Sequence, residues 1–330
     1  MYKDADGKRR YESFTASTEA EANYLASEFE LEKDRLSDSR NWTVGETIDR
    51  YIALKKPILS PSTIQGYEKV RKHNFQQLMD IPVKRITDSM MQVAILNELD
   101  RKPQNRNRST LSVKSVKNAY GVLNAAISRF NPRIEYSVEF PKQPRKIRRS
   151  LPLPQEICAA VKGSKIELAV LLAVWLSFTE SEIRGLTKSK SLDGDYITIR
   201  EVVVVVDGVD LRKEMAKEET RNRRHHLPPY IKELINQVDG DVLVPYVPSV
   251  LLRNLKRLLR EAGLPEITFH DLRHVNATLM ASLRIPDNLA MERGGWKTDY
   301  VMKNVYIETL SGEREAADRI VDNYFEQFIK

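Results

Sequence analysis

The sequence predicts a mainly α, α+β protein in which a helical domain precedes a larger domain of helices with a small antiparallel β-sheet. Three observations predict this fold class. Short amphipathic segments with helix-capping residues recur between residues 41 and 145. β-Branched residues then dominate Glu201–Val206, which meets the turn pair Asp207-Gly208. After this stretch, apolar residues return at intervals of three and four.

Residues 1–37 are predicted to form a small separate unit of a β-hairpin and a helix. Asp6-Gly7 is a dipeptide that favours a tight hairpin turn. Thr18 and Glu21 form a capping box, in which each side chain caps a backbone N–H of the other residue and so opens a helix. The helix and the hairpin would together make a unit too small for a large core of its own.

Residues 41–145 are predicted to form a second unit of four short amphipathic helices. The predicted helix starts carry capping residues, at Thr43 with Glu46, at Ser60 with Pro61, at Asp88 and at Ser112. The segment 141–149 is rich in Pro, Lys and Arg and has no apolar period, which predicts a basic linker to the next unit.

Residues 150–330 are predicted to form a third unit that mixes helices and strands. The apolar run Leu168–Phe178 is predicted to be helical, and a terminal amphipathic helix is predicted after Gly312. The predicted strands of a small antiparallel sheet are Tyr196–Ile199, Glu201–Val206 and one at His225–Leu227.

The positive charge of the chain is concentrated in acid-free stretches. There are 53 Lys and Arg residues against 46 Asp and Glu residues, which gives a net charge of +7. No acidic residue lies between Asp100 and Glu135 or between Glu139 and Glu156. Such stretches are typical of a surface that contacts a polyanion, and a solvated basic face is the simpler alternative. The predicted phosphate-contacting residues in them are Arg101, Lys102, Arg106, Arg108, Lys114, Lys117, Arg145, Lys146, Arg148 and Arg149.

Composition excludes several other classes of protein. The single cysteine, Cys158, rules out a disulfide framework and a cysteine-based zinc site. No apolar run reaches the ~18 residues that a membrane span needs, and the N-terminus has no apolar signal-peptide core. The sequence therefore predicts a cytoplasmic protein with no membrane partner. No Asp, Glu and His cluster has metal-ligand spacing, which disfavours a metal-dependent nuclease.

One group of residues suits chemistry on a phosphodiester. His270 and Arg273 lie one helical turn apart, and Tyr306 follows Arg273 by 33 positions. The planar guanidinium can neutralise and orient phosphate oxygens, and the imidazole can donate a hydrogen bond or move a proton. The hydroxyl of Tyr306 is a nucleophile that would form a covalent phospho-enzyme. Tyr300 is the alternative nucleophile, and an ordinary surface pair is the alternative for His270 and Arg273.

In this order and spacing, the three residues resemble the C-terminal signature of the tyrosine recombinases, the phage-integrase family. The resemblance covers about residues 41–330 and is partial before them. It implies that 1–37 is a shortened arm-type DNA-binding unit, with a stray cap as the alternative. It further implies that 41–145 is a core-type DNA-binding domain and that 150–330 is the catalytic domain. In this family the terminal helix often docks on a neighbouring protomer, and packing on its own core is the alternative.

The resemblance also implies roles for three more residues. Trp296, which follows two glycines, stands where the family usually has His, and its indole N–H would donate to a phosphate oxygen. Lys217 matches a hairpin lysine that protonates the departing 5′ oxygen, and Lys213 is the alternative. Arg223 matches a basic position of the same motif and is expected to contact backbone phosphate.

One position departs from the family pattern, which reads Arg-x-Ser-Glu-[Leu/Ile]-x-x-Leu. Ser181 and Glu182 match this pattern in register, but Thr179 occupies the position of the arginine. One explanation is that Arg184, which starts about 140° round the helix, reaches the phosphate instead. The other is that the site lacks a guanidinium and is slow or inactive, because losing one preorganised donor typically costs about 10²–10³ in rate.

The resemblance implies a site-specific DNA recombinase, an integrase of a phage or mobile element, that works through a 3′-phosphotyrosine. Its expected partners are double-stranded attachment sites, bound as a dimer per site and a homo-tetramer across two sites. An excisionase or a DNA-bending host protein is a candidate accessory partner. No cofactor is expected, because the phosphotyrosine conserves the energy of the broken bond. The rivals are a catalytically weak DNA-binding relative and a type IB topoisomerase-like relaxer.

Overall fold

A computed structural model describes residues 2–3, 9–10, 13–37, 42–102, 110–142, 151–214, 223–298, 319, 321–324 and 327. The chain divides into two compact units, Met1–Arg145 and Lys146–Lys330. Among the described residues, no helix has both the length and the apolar character needed to cross a bilayer. The finer division into three domains stays a prediction.

The first unit begins with a short hairpin and a helix. Strand β1 (Tyr2–Lys3) pairs antiparallel with β2 (Arg9–Arg10). The predicted turn at Asp6-Gly7 lies outside the described residues. Helix α1 (Glu19–Ser37) follows, and the hydroxyl of Thr18 accepts a hydrogen bond from the backbone N–H of Glu21 at 3.2 Å.

Four further α-helices follow within the described residues of the first unit. They are α2 (Val44–Lys55), α3 (Pro61–His73), α4 (Asp88–Asp100) and α5 (Val113–Phe130). Each begins after a Ser or Thr whose side chain accepts a bond from the backbone N–H three residues later. Helix α4 begins at Asp88, as predicted. Its cap is the preceding Thr87, whose hydroxyl accepts from the N–H of Met90 at 3.2 Å.

The apolar faces of these helices form one core. Its fully buried residues include Ile48, Phe75, Met91, Ile95, Leu123 and Ile127. Phe75 has a left-handed backbone with φ of 53°, and its N–H donates to the buried carboxylate of Glu98 at 2.9 Å. The same carboxylate accepts from the Asn74 amide at 2.7 Å, so its charge is compensated by donors inside the unit.

The second unit is built around one buried helix. Helix α7 (Glu167–Val174) is buried at all eight positions. Its predicted extension to Phe178 is wrong, because the helix ends at Val174 and Ser177 takes a left-handed φ of 59°. The other helices are α6 (Pro154–Val161), α8 (Glu180–Gly185), α9 (Lys188–Ser191), α10 (Pro229–Asn236), α11 (Pro248–Glu261), α12 (Phe269–Ser282) and α13 (Asp287–Gly294).

In the part of the second unit that the structure describes, the strands form two small antiparallel sheets where one was expected. The first has the order β3 (Leu192–Asp193), β4 (Tyr196–Thr198) and β7 (Arg224–His226). The second is a hairpin of β5 (Glu201–Val206) and β6 (Val209–Glu214). Helix α8 packs directly on β5, where a Cβ on Gly185 would lie 2.1 Å from the carbonyl oxygen of Glu201. This contact requires a glycine at the end of α8.

The predicted terminal helix falls mostly outside the described residues. Residues 319 and 321–324 are helical, and Val321 and Tyr324 are exposed. Its docking partner therefore stays a prediction.

Candidate active site

Helix α12 carries the His270 and Arg273 pair in its first turn. Thr268 and Asp271 form a capping box there, with the N–H of Thr268 donating to the Asp271 carboxylate at 2.7 Å. His270 is exposed, and its ring packs edge-to-face on His274 with centroids 4.9 Å apart. Desolvation lowers the pKa of His270, and the nearby His274 and Arg273 lower it further. The imidazole is therefore neutral at pH 7 and able to accept a proton.

Arg273, one turn later on α12, is buried. One Nη of its guanidinium donates to the carbonyl oxygen of Ser177, and the other donates to that of Gly294 at 2.8 Å. Burial lowers the pKa of Arg273 to about 10, and the positive charge of Arg223 contributes, while Glu182 opposes the shift. The group stays charged at neutral pH and lies among carbonyl oxygens.

Arg223 lies beside Arg273, just before strand β7. Its Nη1 donates to the carbonyl oxygen of Gly294 at 2.7 Å, and its Nη2 donates to the Glu182 carboxylate at 2.6 Å. The two guanidinium groups thus converge on a single carbonyl oxygen, that of Gly294. The side chain of Arg223 is 5% exposed, and its expected contact with backbone phosphate stays a prediction.

The turn that carries Trp296 closes this cluster. The Cζ of Arg273 lies 5.3 Å from the centre of the Trp296 ring. A Cβ on Gly294 would lie 2.1 Å from that ring, and a Cβ on Gly295 would lie 1.9 Å from the Arg223 Nη1. Gly295 also has a left-handed φ of 67°. The two glycines are therefore required by close packing as well as by the backbone.

Thr179 is the N-cap of helix α8. Its N–H donates to the Glu182 carboxylate at 2.7 Å, and its hydroxyl accepts from the Glu182 N–H at 3.4 Å. The same carboxylate oxygen accepts from Arg223. Glu182 therefore links the start of α8 to the second guanidinium of the cluster.

Arg184 is not placed to fill the gap left by Thr179. Its side chain is 5% exposed, and its Nη2 donates to the Asp210 carboxylate at 2.5 Å. Its Nε donates to the carbonyl oxygen of Tyr246 at 3.1 Å. These partners lie on strand β6 and before helix α11, whereas Arg273 binds residues 177 and 294. Arg184 therefore has other partners than Arg273, and both explanations for Thr179 stay predictions.

A buried histidine adjoins the cluster. His225, on β7, packs edge-to-face on Phe178 at 5.0 Å. Burial lowers its pKa to about 3, with Arg293 and Arg223 adding to the shift, so its imidazole is neutral. The Nη2 of Arg293 donates to the carbonyl oxygen of Trp175 at 2.9 Å.

Three predicted residues cannot be placed. Lys217, Tyr300 and Tyr306 lie outside the described residues, and Lys213 lies on strand β6 opposite Val202. Within the part of the chain that the structure describes, no group of three or more His, Cys, Asp or Glu side chains could hold a metal ion.

The predicted DNA-contacting residues of the first unit are only partly described. Arg101 is ion-paired with Glu98 at 2.9 Å, and Lys102 is exposed. Lys114 and Lys117 are exposed one turn apart on α5. The remaining residues of the set lie outside the described ranges, namely Arg106, Arg108, Arg145, Lys146, Arg148 and Arg149.

Sequence reasoning missed two functional features of the cluster. Glu182 was recognised only as a match to a pattern, and its ion pair with Arg223 joins residues that are 41 positions apart. The role of the Ser177 carbonyl oxygen as an acceptor had no signal in the sequence, since Ser177 is an unexpected residue for a left-handed backbone.

Comparisons with known proteins find integrases. No family model matches the chain. An integrase of Saccharopolyspora erythraea is 38% identical over 82 residues, which are 24% of this chain and 18% of the relative. The prophage phiRv2 integrase of Mycobacterium tuberculosis is 30% identical over 146 residues, 39% of each protein. The matches thus span well under half the length of these relatives.

Solved structures share the fold at low sequence identity. The Tn1549 transposon integrase in complex with a circular intermediate DNA has a TM-score of 0.65 at 17% identity, over 84% of this chain and 99% of that one. A lambda integrase dimer bound to a COC′ core site has a TM-score of 0.57 at 20% identity, over 82% and 96%. The partial sequence matches are thus to proteins named as integrases, and the fold of this chain is similar to that of the solved integrases.

Proposed function

We propose that this protein is a site-specific DNA recombinase, an integrase of a phage or mobile element. The observation that carries the proposal is the convergence of two buried guanidinium groups, beside Trp296 and one turn from a neutral His270. Preorganised positive charge of this kind suits the charge that develops on a phosphate in a transition state. The relatives named as integrases, and the neighbours solved on DNA, support the same substrate class.

The proposed reaction is a displacement at phosphorus. The Tyr306 hydroxyl attacks the scissile phosphate, so that a phosphorus–oxygen bond forms to tyrosine while the bond to the 5′ oxygen breaks. His270 takes the proton of the tyrosine, and Lys217 gives a proton to the departing 5′ oxygen. Arg273 holds the non-bridging oxygens through the transition state. A 5′ hydroxyl of a partner duplex then attacks the phosphotyrosine and releases the enzyme.

The proposed assembly is a dimer on each attachment site and a tetramer across two sites. One lambda integrase structure is described as a tetramer bound to a Holliday junction, at a TM-score of 0.57 and 19% identity. Strand exchange between two duplexes requires such an assembly, whereas relaxation of a single duplex does not. A type IB topoisomerase-like protein would cleave without pairing two duplexes.

A covalent trapping experiment tests this proposal. A binding site is first selected from a pool of random-sequence duplexes, and a nicked suicide substrate is then built on the selected site. We expect wild-type protein to form a covalent adduct on a denaturing gel. We expect Tyr306→Phe to form none, because it lacks the nucleophilic oxygen, while the matched control Tyr300→Phe retains the adduct.

A second candidate function is favoured by one observation, the use of Thr179 as a helix cap in place of an arginine. A DNA-binding protein without turnover would select a duplex and form no adduct. Failure to select any duplex would contradict both candidate functions.

A further inference from the structure

Two buried arginines, Arg223 and Arg273, both donate to the carbonyl oxygen of Gly294. The side chain of Arg223 is 5% exposed and the Arg273 residue is 6% exposed. Arg223 is ion-paired with Glu182, whereas the hydrogen bonds of Arg273 within the described residues go to carbonyl oxygens. Burying a charge is costly unless an opposite charge or hydrogen bonds compensate it. The cluster of Arg223, Arg273 and Glu182 has a net positive charge, which favours the binding of an anion.

The geometry of the two groups suits a shared oxygen. The Nη1 of Arg223 and the Nη2 of Arg273 both donate to the Gly294 carbonyl oxygen, at 2.7 and 2.8 Å. Two guanidinium groups within hydrogen-bond reach of one oxygen atom are also within reach of different oxygens of one phosphate. Within the described residues, the Nε of Arg223 is buried with no hydrogen-bond partner. Arg223 therefore retains donor capacity beyond its bonds to Glu182 and Gly294.

The family pattern expects a second guanidinium at a position that holds Thr179 in this chain. The structure ties Thr179 to Glu182, and the Arg223 side chain reaches the same Glu182 oxygen from strand β7. The end of the Arg223 side chain is thus brought to the start of α8, where the missing arginine would begin. Arg184, by contrast, is held by Asp210.

We propose that Arg223 supplies the second guanidinium of the phosphate site and contacts a non-bridging oxygen of the scissile phosphate together with Arg273. This inference rests on the proposed function. Arg223 is then a catalytic residue that lies just before strand β7, whereas the family pattern places the arginine at the start of α8. Glu182 orients the Arg223 guanidinium.

The test distinguishes neutralisation of the phosphate charge by Arg223 from a purely structural role of Arg223. Two suicide duplexes are built on the selected site, one with an ordinary scissile phosphate and one with a methylphosphonate, which lacks the negative charge. Rates of covalent adduct formation are measured for wild type, Arg223→Met and the milder Arg223→Lys. The matched control is Arg184→Met, which removes another buried, ion-paired arginine of the same unit.

We expect Arg223→Met to slow cleavage of the phosphate by about 10²–10³-fold. On the methylphosphonate it should approach the wild-type rate, because a neutral centre no longer needs the second charge. Arg223→Lys keeps a positive charge beside Glu182, so it should fold. Because it loses the planar guanidinium, it should also cleave the phosphate more slowly while approaching the wild-type rate on the methylphosphonate. Adding Thr179→Arg to either variant should raise the rate on the phosphate. For Arg184→Met, any loss should be equal on both substrates.

Several outcomes would overturn the inference. An equal loss on both substrates for Arg223→Met and Arg223→Lys would show that Arg223 only supports the fold. Rescue of Arg184→Met by the methylphosphonate would assign the second charge to Arg184 instead. Wild-type protein that binds DNA but cleaves neither substrate would refute the proposed function itself, which is a separate result.

Discussion

Among the described residues of the second unit, three buried arginines have different partners, and these partners decide what each charge can do. Arg184 is paired with Asp210, so its charge stabilises a β-hairpin. Arg223 is paired with Glu182 but also meets Arg273, which binds carbonyl oxygens. Under the proposed function, the charge available to a substrate therefore lies at Arg223 and Arg273.

The sequence predicted residues of the site where their relation is local. His270 and Arg273 are three positions apart on a capped helix, and helical geometry alone relates them. The pairing of Arg223 with Glu182 depends on how β7 packs against α8, which no local pattern reports. The choice of Asp210 as the partner of Arg184 depends in the same way on the β5–β6 hairpin.

Buried His225 makes stability depend on pH. Its pKa is about 3 in the folded protein against an ordinary value of 6.5. The unfolded chain therefore binds more protons between these values, and stability falls as pH drops below about 6.5. We expect His225→Gln to lose less thermal stability than wild type between pH 7 and pH 5, measured as the change in Tm. The control is His226→Gln at the exposed neighbouring position, which should behave like wild type, and an equal loss in all three proteins would contradict the assignment.

At the scale of elements, the starts of helices were predictable and their ends were less so. Four N-caps of the first unit use Ser or Thr side chains within three residues, which is a local interaction. The end of α7 is set by the left-handed Ser177, whose carbonyl oxygen is held by Arg273 from another helix. The separation of the strands into two sheets likewise depends on pairings between distant segments, such as Tyr196 with His226.

The Gly294-Gly295 turn packs against Trp296 and Arg223, and its contribution to stability can be measured directly. An alanine at Gly295 must adopt a left-handed backbone, which costs roughly 1–2 kcal/mol, and its Cβ must displace the Arg223 side chain. Gly163 has a similar φ of 71° but no atom within 4 Å of an added Cβ. We expect Gly295→Ala to lower the free energy of unfolding more than Gly163→Ala does, as measured by denaturant titration. Equal losses would mean that the contact with Arg223 contributes nothing.

At the scale of the whole molecule, the acid-free basic stretches predict how binding responds to salt. Each phosphate contact by a lysine or arginine contributes roughly 0.9 to the slope of log K against log salt concentration. Lys114 and Lys117 are exposed on one side of α5. We expect the double change Lys114→Gln and Lys117→Gln to reduce the slope by about 2, measured by fluorescence anisotropy on the selected duplex.

The matched control for this measurement changes Lys162 and Lys165 to Gln. These residues are also exposed but lie after Glu156, outside the acid-free stretches. They should leave the slope unchanged. A slope that responds equally to both pairs would indicate general attraction by net charge in place of contacts from α5.

The overall architecture followed from composition and periodicity, because amphipathic helices and β-branched runs dictate which layers can form. The residues proposed to complete the chemistry, Lys217 and Tyr306, are predicted from their match to the family motifs and lie outside the described residues. The identity of the nucleophile is thus the central claim that still depends on sequence spacing alone.

The most direct test of that claim is to map the covalent adduct by mass spectrometry. Protein trapped on the nicked suicide duplex is digested with protease and nuclease, and the peptide that keeps a nucleotide is sequenced. The account predicts a single modified peptide in which the hydroxyl of Tyr306 carries the 3′ phosphate. Linkage at Tyr300 or at another residue, or DNA-bound protein that yields no modified peptide, would contradict it.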